Sequence, residues 1–318
     1  MLDGDWVTFE FDYCLDLAAL VPHIVAIESY KEAAYTRVLP RRWLEPSNTN
    51  PDSVAEGSHQ PDSPAGHTLQ ENQALQANQA PQKNQAADAS EEFAIKSAVA
   101  AEARAWAKQR FFPGSAPLSL DDIFTMHRMV GGRSTVDYNR PGVLRTLPVQ
   151  VGRTEVGGLH MGAPAGRLPL LMEQYIQFIN SEKLISLPAV VRALLAHFFF
   201  DTLHPFDDGN GRMSRLMAAS ILFQHGYNVH GGYGLSNYFY QNDIQYHTLL
   251  HRAWRRCPFD VTPFVAFGME GLVMELKSIN SFIKMKLNRI VDRDMVVSSA
   301  AKRTGGRRGR LSERGQWV

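Results

Sequence analysis

The twelve residues HPFDDGNGRMSR, His204 to Arg215, decide how this chain is read. Neither a core helix nor an ordinary turn has use for a His-Pro pair, two carboxylates, two glycines around an asparagine and two arginines. The preceding AVVRALLAHFFFDTL is apolar nearly all round and predicts a central buried helix. After Gly211, the stripe of Met213, Leu216, Met217, Ser220 and Ile221 predicts a second helix that stops at Gly226. The motif is therefore a loop that closes one helix and opens another. Gly-Asn-Gly at such an opening presents backbone N–H groups at the positive end of a dipole, which is an anion site. Gly209 and Gly211 allow close approach of a phosphate. Arg212 and Arg215, three apart, project from one side of the first turns and can grip successive phosphates bidentately. Asp208 suits a hard cation such as Mg²⁺, and His204 can accept a proton near neutral pH. These parts describe a nucleoside triphosphate, a metal ion and a base that activates a hydroxyl.

Outward from the motif, Val143 to Leu159 has short β-favouring runs between glycines and predicts a small hairpin. Helical periodicity marks Tyr13 to about Leu39, interrupted at Pro22, and then Glu91 to Phe111. Further helices are expected from Ser119 as N-cap, across Leu170 to Leu184, across Tyr238 to Trp254, and from Phe264 to about Ile290. The fold class is all-α with one short β-hairpin. Residues 45–90 are rich in Gln, Asn, Ser and Pro and contain the near-repeat ENQALQ, ANQAPQ, KNQAAD. Such a composition cannot bury enough apolar surface to offset its ordering entropy, so it reads as a flexible linker. It separates an N-terminal helical region, 1–44, from a catalytic region, 91–294, and a basic tail, 295–318, is expected to be loose.

Apolar content of 44% and charged content of 20% are those of a soluble globular protein. A net charge of +1 gives no global field to draw a nucleic acid or a membrane. Cys14 and Cys257 lie in no metal spacing and fit a reducing compartment. No apolar signal core and no membrane-spanning run is present, so the expected setting is the cytoplasm.

HPFDDGNGRMSR resembles the signature of the Fic (Fic/DOC) family, H-P-F-x-[D/E]-G-N-G-R-x-x-R, at every position. The resemblance extends from roughly Tyr13 to Asp294, including RALLAHFFFDTL, LSNYFYQNDIQYHTLL and HMGAPAGRLPLLME. It implies a Fic-fold helical bundle with a β-hairpin flap, and transfer of AMP from ATP to a Ser, Thr or Tyr hydroxyl of a target protein. By that resemblance His204 is the general base and Asp208 holds Mg²⁺ on the α- and β-phosphates. Asn210, with the amides around Gly209 and Gly211, grips the same phosphates. Arg212 and Arg215 bind the β- and γ-phosphates, and Phe206 packs beneath the loop. Tyr238 and Asn242 fall near the adenine, with Tyr246 on the same face reading equally as core.

Val149, Gln150, Val151 and Gly152 would form the flap edge, whose unpaired backbone groups can add an extended segment of the unknown target. A plain connector is the alternative there. Enzymes of this type carry an inhibitory [S/T]-x-x-x-E-[G/N] motif whose Glu pairs with the second motif arginine, here Arg215. HTLQEN has Thr68 one position too close to Glu71, and DSVAEG departs in the same way at Glu56; Glu71 is favoured. The terminal RRGRLSERGQWV resembles the start of a segment that continues into a winged helix-turn-helix, and nucleic-acid binding would need that domain. A homodimer is left open. Two other readings stand beside the enzyme: a non-catalytic nucleotide-responsive regulator, and a Fic enzyme that transfers another phosphate-linked group or removes AMP. Asp207 reads as solvated and His197 as a core residue, while His160 is open between the site and the hairpin.

Overall fold

Residues 189–203 offer water no polar face, and the fold is built around them. The computed structural model describes residues 6, 9–31, 98–131, 140–153, 158–227, 235–255 and 258–313. In chain order these form strand β1 (Tyr13–Cys14), α1 (Leu17–Lys31), α2 (98–110), α3 (Leu120–Gly131), strands β2 (Gln150–Arg153) and β3 (Gly158–Met161), and α4 (Leu168–Ile179). There follow α5 (Glu182–Ile185), α6 (Ala189–Leu203), α7 (Asn210–Gln224), α8 (Ser236–Gln241), α9 (Asp243–Trp254), β4 (Phe259–Asp260) and α10 (Thr262–Glu313). All 15 residues of α6 are buried. Helices α4, α7 and α10 pack around it, and Phe198 and Phe199 interlock with Phe11, Phe178, Phe259 and Phe264. The expected all-α class with one hairpin holds, with a minor parallel pairing of β1 and β4 (Tyr13↔Phe259, Cys14↔Asp260) tying the start of α1 to the start of α10.

Local chemistry sets the helix boundaries. Ser119 caps α3: its Oγ accepts from the Asp122 amide at 3.2 Å, while the Asp122 carboxylate accepts from the Ser119 amide at 2.9 Å. The same carboxylate takes both prongs of Arg110, at 2.9 and 2.8 Å, joining the end of α2 to α3. Ser181 starts α5 by accepting from the Leu184 amide, so Leu170 to Leu184 is two helices where one was expected. Asn242 divides the next expected helix: its Nδ2 bonds back to the Tyr238 carbonyl at 2.9 Å, competing with the helical ladder.

Two other expectations are corrected. Helix α1 passes through Pro22 without a break, because the carbonyl left without a donor lies on the exposed side of the helix, where water can meet it. Helix α10 continues to Glu313, where a loose tail from residue 295 was expected. Gly305, Gly306 and Gly309 are weak helix formers and hide that continuation from propensity. The linker at 45–90 and its repeat lie outside the described residues. No helix among the described residues is long and apolar enough to cross a membrane.

The hairpin pairs Gln150↔Met161, Val151↔His160, Gly152↔Leu159 and Arg153↔Gly158. Its inner face is pinned by His160, whose ring stacks on Trp254 with centroids 4.1 Å apart and whose Nε2 donates to the Thr202 carbonyl at 3.0 Å. Trp254 in turn donates to Thr202 Oγ1 at 2.8 Å.

Two predictions follow from this packing. A Cβ on Gly268 of α10 would sit 2.4 Å from Leu194 of α6, in a core with no slack, so Gly268→Ala should cost about 1–3 kcal/mol. Urea unfolding would register this as a lower midpoint at unchanged slope. Burial lowers the pKa of His160 to about 3, against 6.5 for a free imidazole. Below pH 6.5 the unfolded chain therefore binds the proton that the folded chain refuses, and stability falls by about 1.4 kcal/mol per pH unit until the folded pKa is reached. Comparing urea midpoints at pH 7 and pH 5 should reveal this loss in the wild type and a smaller one in His160→Gln.

Candidate functional site

A helix buried on all sides cannot end in water, so its last carbonyls need protein donors. Those of α6 find them in the hairpin and its flanks. Thr202 O accepts from His160, Leu203 O from the Ala163 amide at 3.1 Å, and His204 O from Arg145 Nε at 2.7 Å. His204 itself closes the helix in the left-handed conformation, φ 50° and ψ 61°, with its amide on Phe200 O at 2.9 Å. That conformation costs a non-glycine residue about 1–3 kcal/mol and requires surroundings that enforce it. Here it turns the chain sharply enough for the loop to come back over the end of α6, with His204 3% exposed.

The loop is a closed ring. Asn210 Oδ1 accepts from the Phe206 amide and its Nδ2 donates to the Phe206 carbonyl, both at 2.9 Å. Phe206 is fully buried and lies flat on His127 of α3, with centroids 3.6 Å apart and planes 3° from parallel. His127 Nε2 donates to Asp208 O at 2.9 Å while its Nδ1 accepts from the Gly142 amide at 2.8 Å, which fixes the neutral tautomer. Burial keeps it neutral, lowering its pKa to about 4. Gly209 then takes φ 82°, a value only glycine adopts freely, and α7 begins at Asn210. The amides of Gly211 and Arg212 thus stand in the first helical turn, where a helix has no acceptor of its own to offer.

The two arginines differ. Arg212 donates to Val130 O at 2.9 Å and to Asp208 Oδ2 at 3.0 Å. Arg215 is 7% exposed, and its Nε and Nη2 have no hydrogen-bond partner among the described residues. Burial lowers its pKa, with the carboxylate of Asp201 and the ring of Tyr246 near enough to oppose the effect. Asp201 accepts from the Tyr246 hydroxyl and lies 3.3 Å from His197 Nε2. Burial alone would raise its pKa, but these hydrogen bonds and the attraction of His197 outweigh that and hold it at about 2. A buried carboxylate thus stays ionised beneath a buried guanidinium.

The turn and the start of α7 bring together His204, Phe206, Asp208, Gly209, Asn210, Gly211, Arg212 and Arg215, as the motif requires. The contacts of several of these residues are now explicit. The carboxamide of Asn210 holds the loop through Phe206, and Asp207 is bound by Arg140 Nε at 3.1 Å where a solvated side chain was expected. Tyr238 lies on α8 and Asn242 at the junction of α8 and α9, and Tyr238 packs on Phe267, over Gly271 of α10. His197 and Tyr246 are core residues joined at 2.8 Å, and His160 serves the hairpin. Val149 and Val151 turn inward, and the bond from the Gly162 amide to Val149 O at 3.0 Å leaves the backbone groups of Gln150 and Gly152 on the outer edge of β2. Glu71 and Glu56 lie outside the described residues. His127, Arg145 and Asp201 were missed. A histidine on the apolar face formed by Ile123, Met126 and Val130 was the available signal for the first. Arg145 binds backbone carbonyls, which leave no mark in a sequence.

The donor set fits a single Mg²⁺ held by one carboxylate and by phosphate oxygens. Of the two acids in the loop Asp207 is engaged by Arg140 and Asp208 lies next to Gly209, and no group of three or more His, Cys, Asp or Glu side chains suited to a metal occurs among the described residues.

Residues 117–222 match the model of the Fic/DOC family. Over 110 residues, 35% of this chain, it is 40% identical to the protein adenylyltransferase Fic of Drosophila grimshawi and 38% identical to that of Drosophila melanogaster. The chain spans about a fifth of the length of these relatives, 21% in both cases. Among solved structures, a Fic family protein from Desulfovibrio desulfuricans superposes with a TM-score of 0.58 at 22% identity, covering 86% of this chain and 77% of that one. Fic-1 of C. elegans (residues 134–508) also gives 0.58, at 18% identity, covering 85% and 74%. The fold is shared with these structures, and residues 117–222, which match the Fic/DOC model, carry the complete motif on the turn between α6 and α7.

Proposed function

We propose that this site transfers AMP from ATP to a hydroxyl of a target protein, as the name of its Drosophila relatives describes for them. The observation that carries the reading is Arg215: a buried guanidinium whose Nε and Nη2 have no partner among the described residues, one turn into the helix that the motif opens. An anion bound there would supply the missing acceptors and restore the charge balance that burial disturbs. A γ-phosphate at Arg215, with Arg212 on the β-phosphate, leaves the α-phosphorus towards His204 at the other end of the loop. Mg²⁺ at Asp208 would neutralise phosphate charge beside Arg212, which the same carboxylate holds through Oδ2.

The reaction is then a displacement at phosphorus. The target hydroxyl oxygen forms the new bond to the α-phosphorus, the bond to the bridging oxygen breaks, and pyrophosphate departs. The hydroxyl proton passes to His204. Positioning and charge neutralisation do most of the work, as in other phosphoryl-type transfers. The outer edge of β2, with the backbone groups of Gln150 and Gly152, would hold the target by strand addition, which accepts many sequences and presents a single hydroxyl. Glu71 would oppose ATP by pairing with Arg215.

Incubation with α-labelled ATP and Mg²⁺ should label the protein itself or an acceptor in a lysate. His204→Ala should lower transfer by on the order of 10²–10⁴-fold while ATP affinity, measured by calorimetry, changes little. Arg215→Ala should do the reverse, weakening ATP by roughly 1.5–3 kcal/mol as a lost charge-assisted bond. Full labelling by His204→Ala would refute the assigned base.

A further inference from the structure

Arg145 belongs to none of the motif positions, yet its side chain is 2% exposed and reaches four backbone carbonyls. Nε donates to His204 O at 2.7 Å, and Nη2 to Ala163 O and, at 3.5 Å, to Leu203 O. Nη1 donates to Leu147 O at 2.7 Å, and the Arg145 amide donates to Pro205 O at 3.0 Å. Leu147 lies just before strand β2, and Ala163 lies just after β3. One planar cation therefore fastens both ends of the hairpin to the left-handed turn that carries His204. Gly162 completes the joint. A Cβ there would meet Val149 Cγ1 at 2.8 Å, Arg145 Nη2 at 2.9 Å and His204 Cβ at 3.2 Å. The base of the hairpin, the guanidinium and the His204 side chain thus all border a space that only a glycine leaves open.

We infer that Arg145 is a positioning residue that fixes the His204 turn relative to the hairpin, so that the edge proposed to hold the target and the base proposed to act on it are set by one guanidinium. The inference rests on the proposed adenylyl transfer for its kinetic consequence, although the mechanical coupling stands apart from it. The physics favours arginine for this task. Its fork is rigid and satisfies several carbonyls in fixed directions, whereas a lysine ammonium cannot span them from one point. It also adds positive charge at the C-terminal end of α6, where the dipole welcomes it. The guanidinium bonds of Arg145 to His204, Leu203, Leu147 and Ala163 all lie at the turn and the hairpin, so the nucleotide end of the site should be largely insensitive to it.

The test uses the full chain with Arg145→Lys and, independently, Gly162→Ala, which leaves the arginine in place and wedges the joint. Hydrogen–deuterium exchange should rise together in peptides covering 149–162 and 203–209 in both variants. Mg²⁺-ATP affinity by calorimetry should stay within about threefold of wild type, while the single-turnover rate of self-labelling with α-labelled ATP should fall on the order of 10²-fold. A purely structural role would instead lower the unfolding temperature, ATP affinity and rate in step. Exchange that rises in only one of the two segments, or in neither, overturns the inference, and so does a rate that falls only in proportion to ATP affinity. If wild-type protein transfers no AMP, the proposed activity fails, and the paired exchange response still decides the coupling.

Discussion

The end of α6 is the constraint on which the rest depends. A helix with all 15 residues buried leaves its final carbonyls in a medium without water, and each unmet group would cost about 1–3 kcal/mol. The chain meets this demand with donors from one neighbouring unit, the hairpin and its two flanks: His160, the Ala163 amide and Arg145. The hairpin is therefore part of the helix's termination. Because the helix stops at His204, the solution to a burial problem also fixes where an imidazole stands.

The loop that follows applies the same logic to strain. Left-handed backbone at a histidine persists only where other contacts over-determine it, and the ring closed by Asn210 on Phe206, the stack of Phe206 on His127 and the His127 bond to Asp208 O all act on the next few residues. None of these groups need move for an anion to bind at the start of α7. Such pre-organisation lets an active site stabilise developing charge without reorganising at the moment of reaction.

Much of this was legible in the sequence where information is local. The buried helix over 189–203, the stop at Gly226 and the Ser119 cap are written in periodicity and capping chemistry. So is the motif, because glycine, asparagine and arginine at fixed spacing have few other uses. What could not be read depends on long-range partners. That Asn210 also braces the loop shows only in its two bonds to Phe206, which no sequence pattern announces. Arg145 stands between Leu144 and Thr146 in a β-favouring run, and nothing nearby names its carbonyl partners. Pro22 misled because a proline's effect on a helix depends on whether the orphaned carbonyl faces water, a property of burial rather than of order in the chain.

The unequal surroundings of the two motif arginines complete the argument. Arg212 is anchored through Nη1 on Val130 O and Nη2 on Asp208, with only its Nε unpartnered among the described residues, so it can hold the loop against α3 without a ligand. Arg215 has a buried guanidinium whose Nε and Nη2 lack acceptors among the described residues, with the ionised Asp201 below it as a partial counterweight. An uncompensated buried cation is among the least favourable arrangements a fold can retain. Asp201, kept ionised by Tyr246 and His197, makes Arg215 tolerable in the protein alone, yet it contacts those two residues and leaves the guanidinium donors open. Arg215 Nε and Nη2 are thus held ready for an acceptor, which is the physical ground of the proposed anion site.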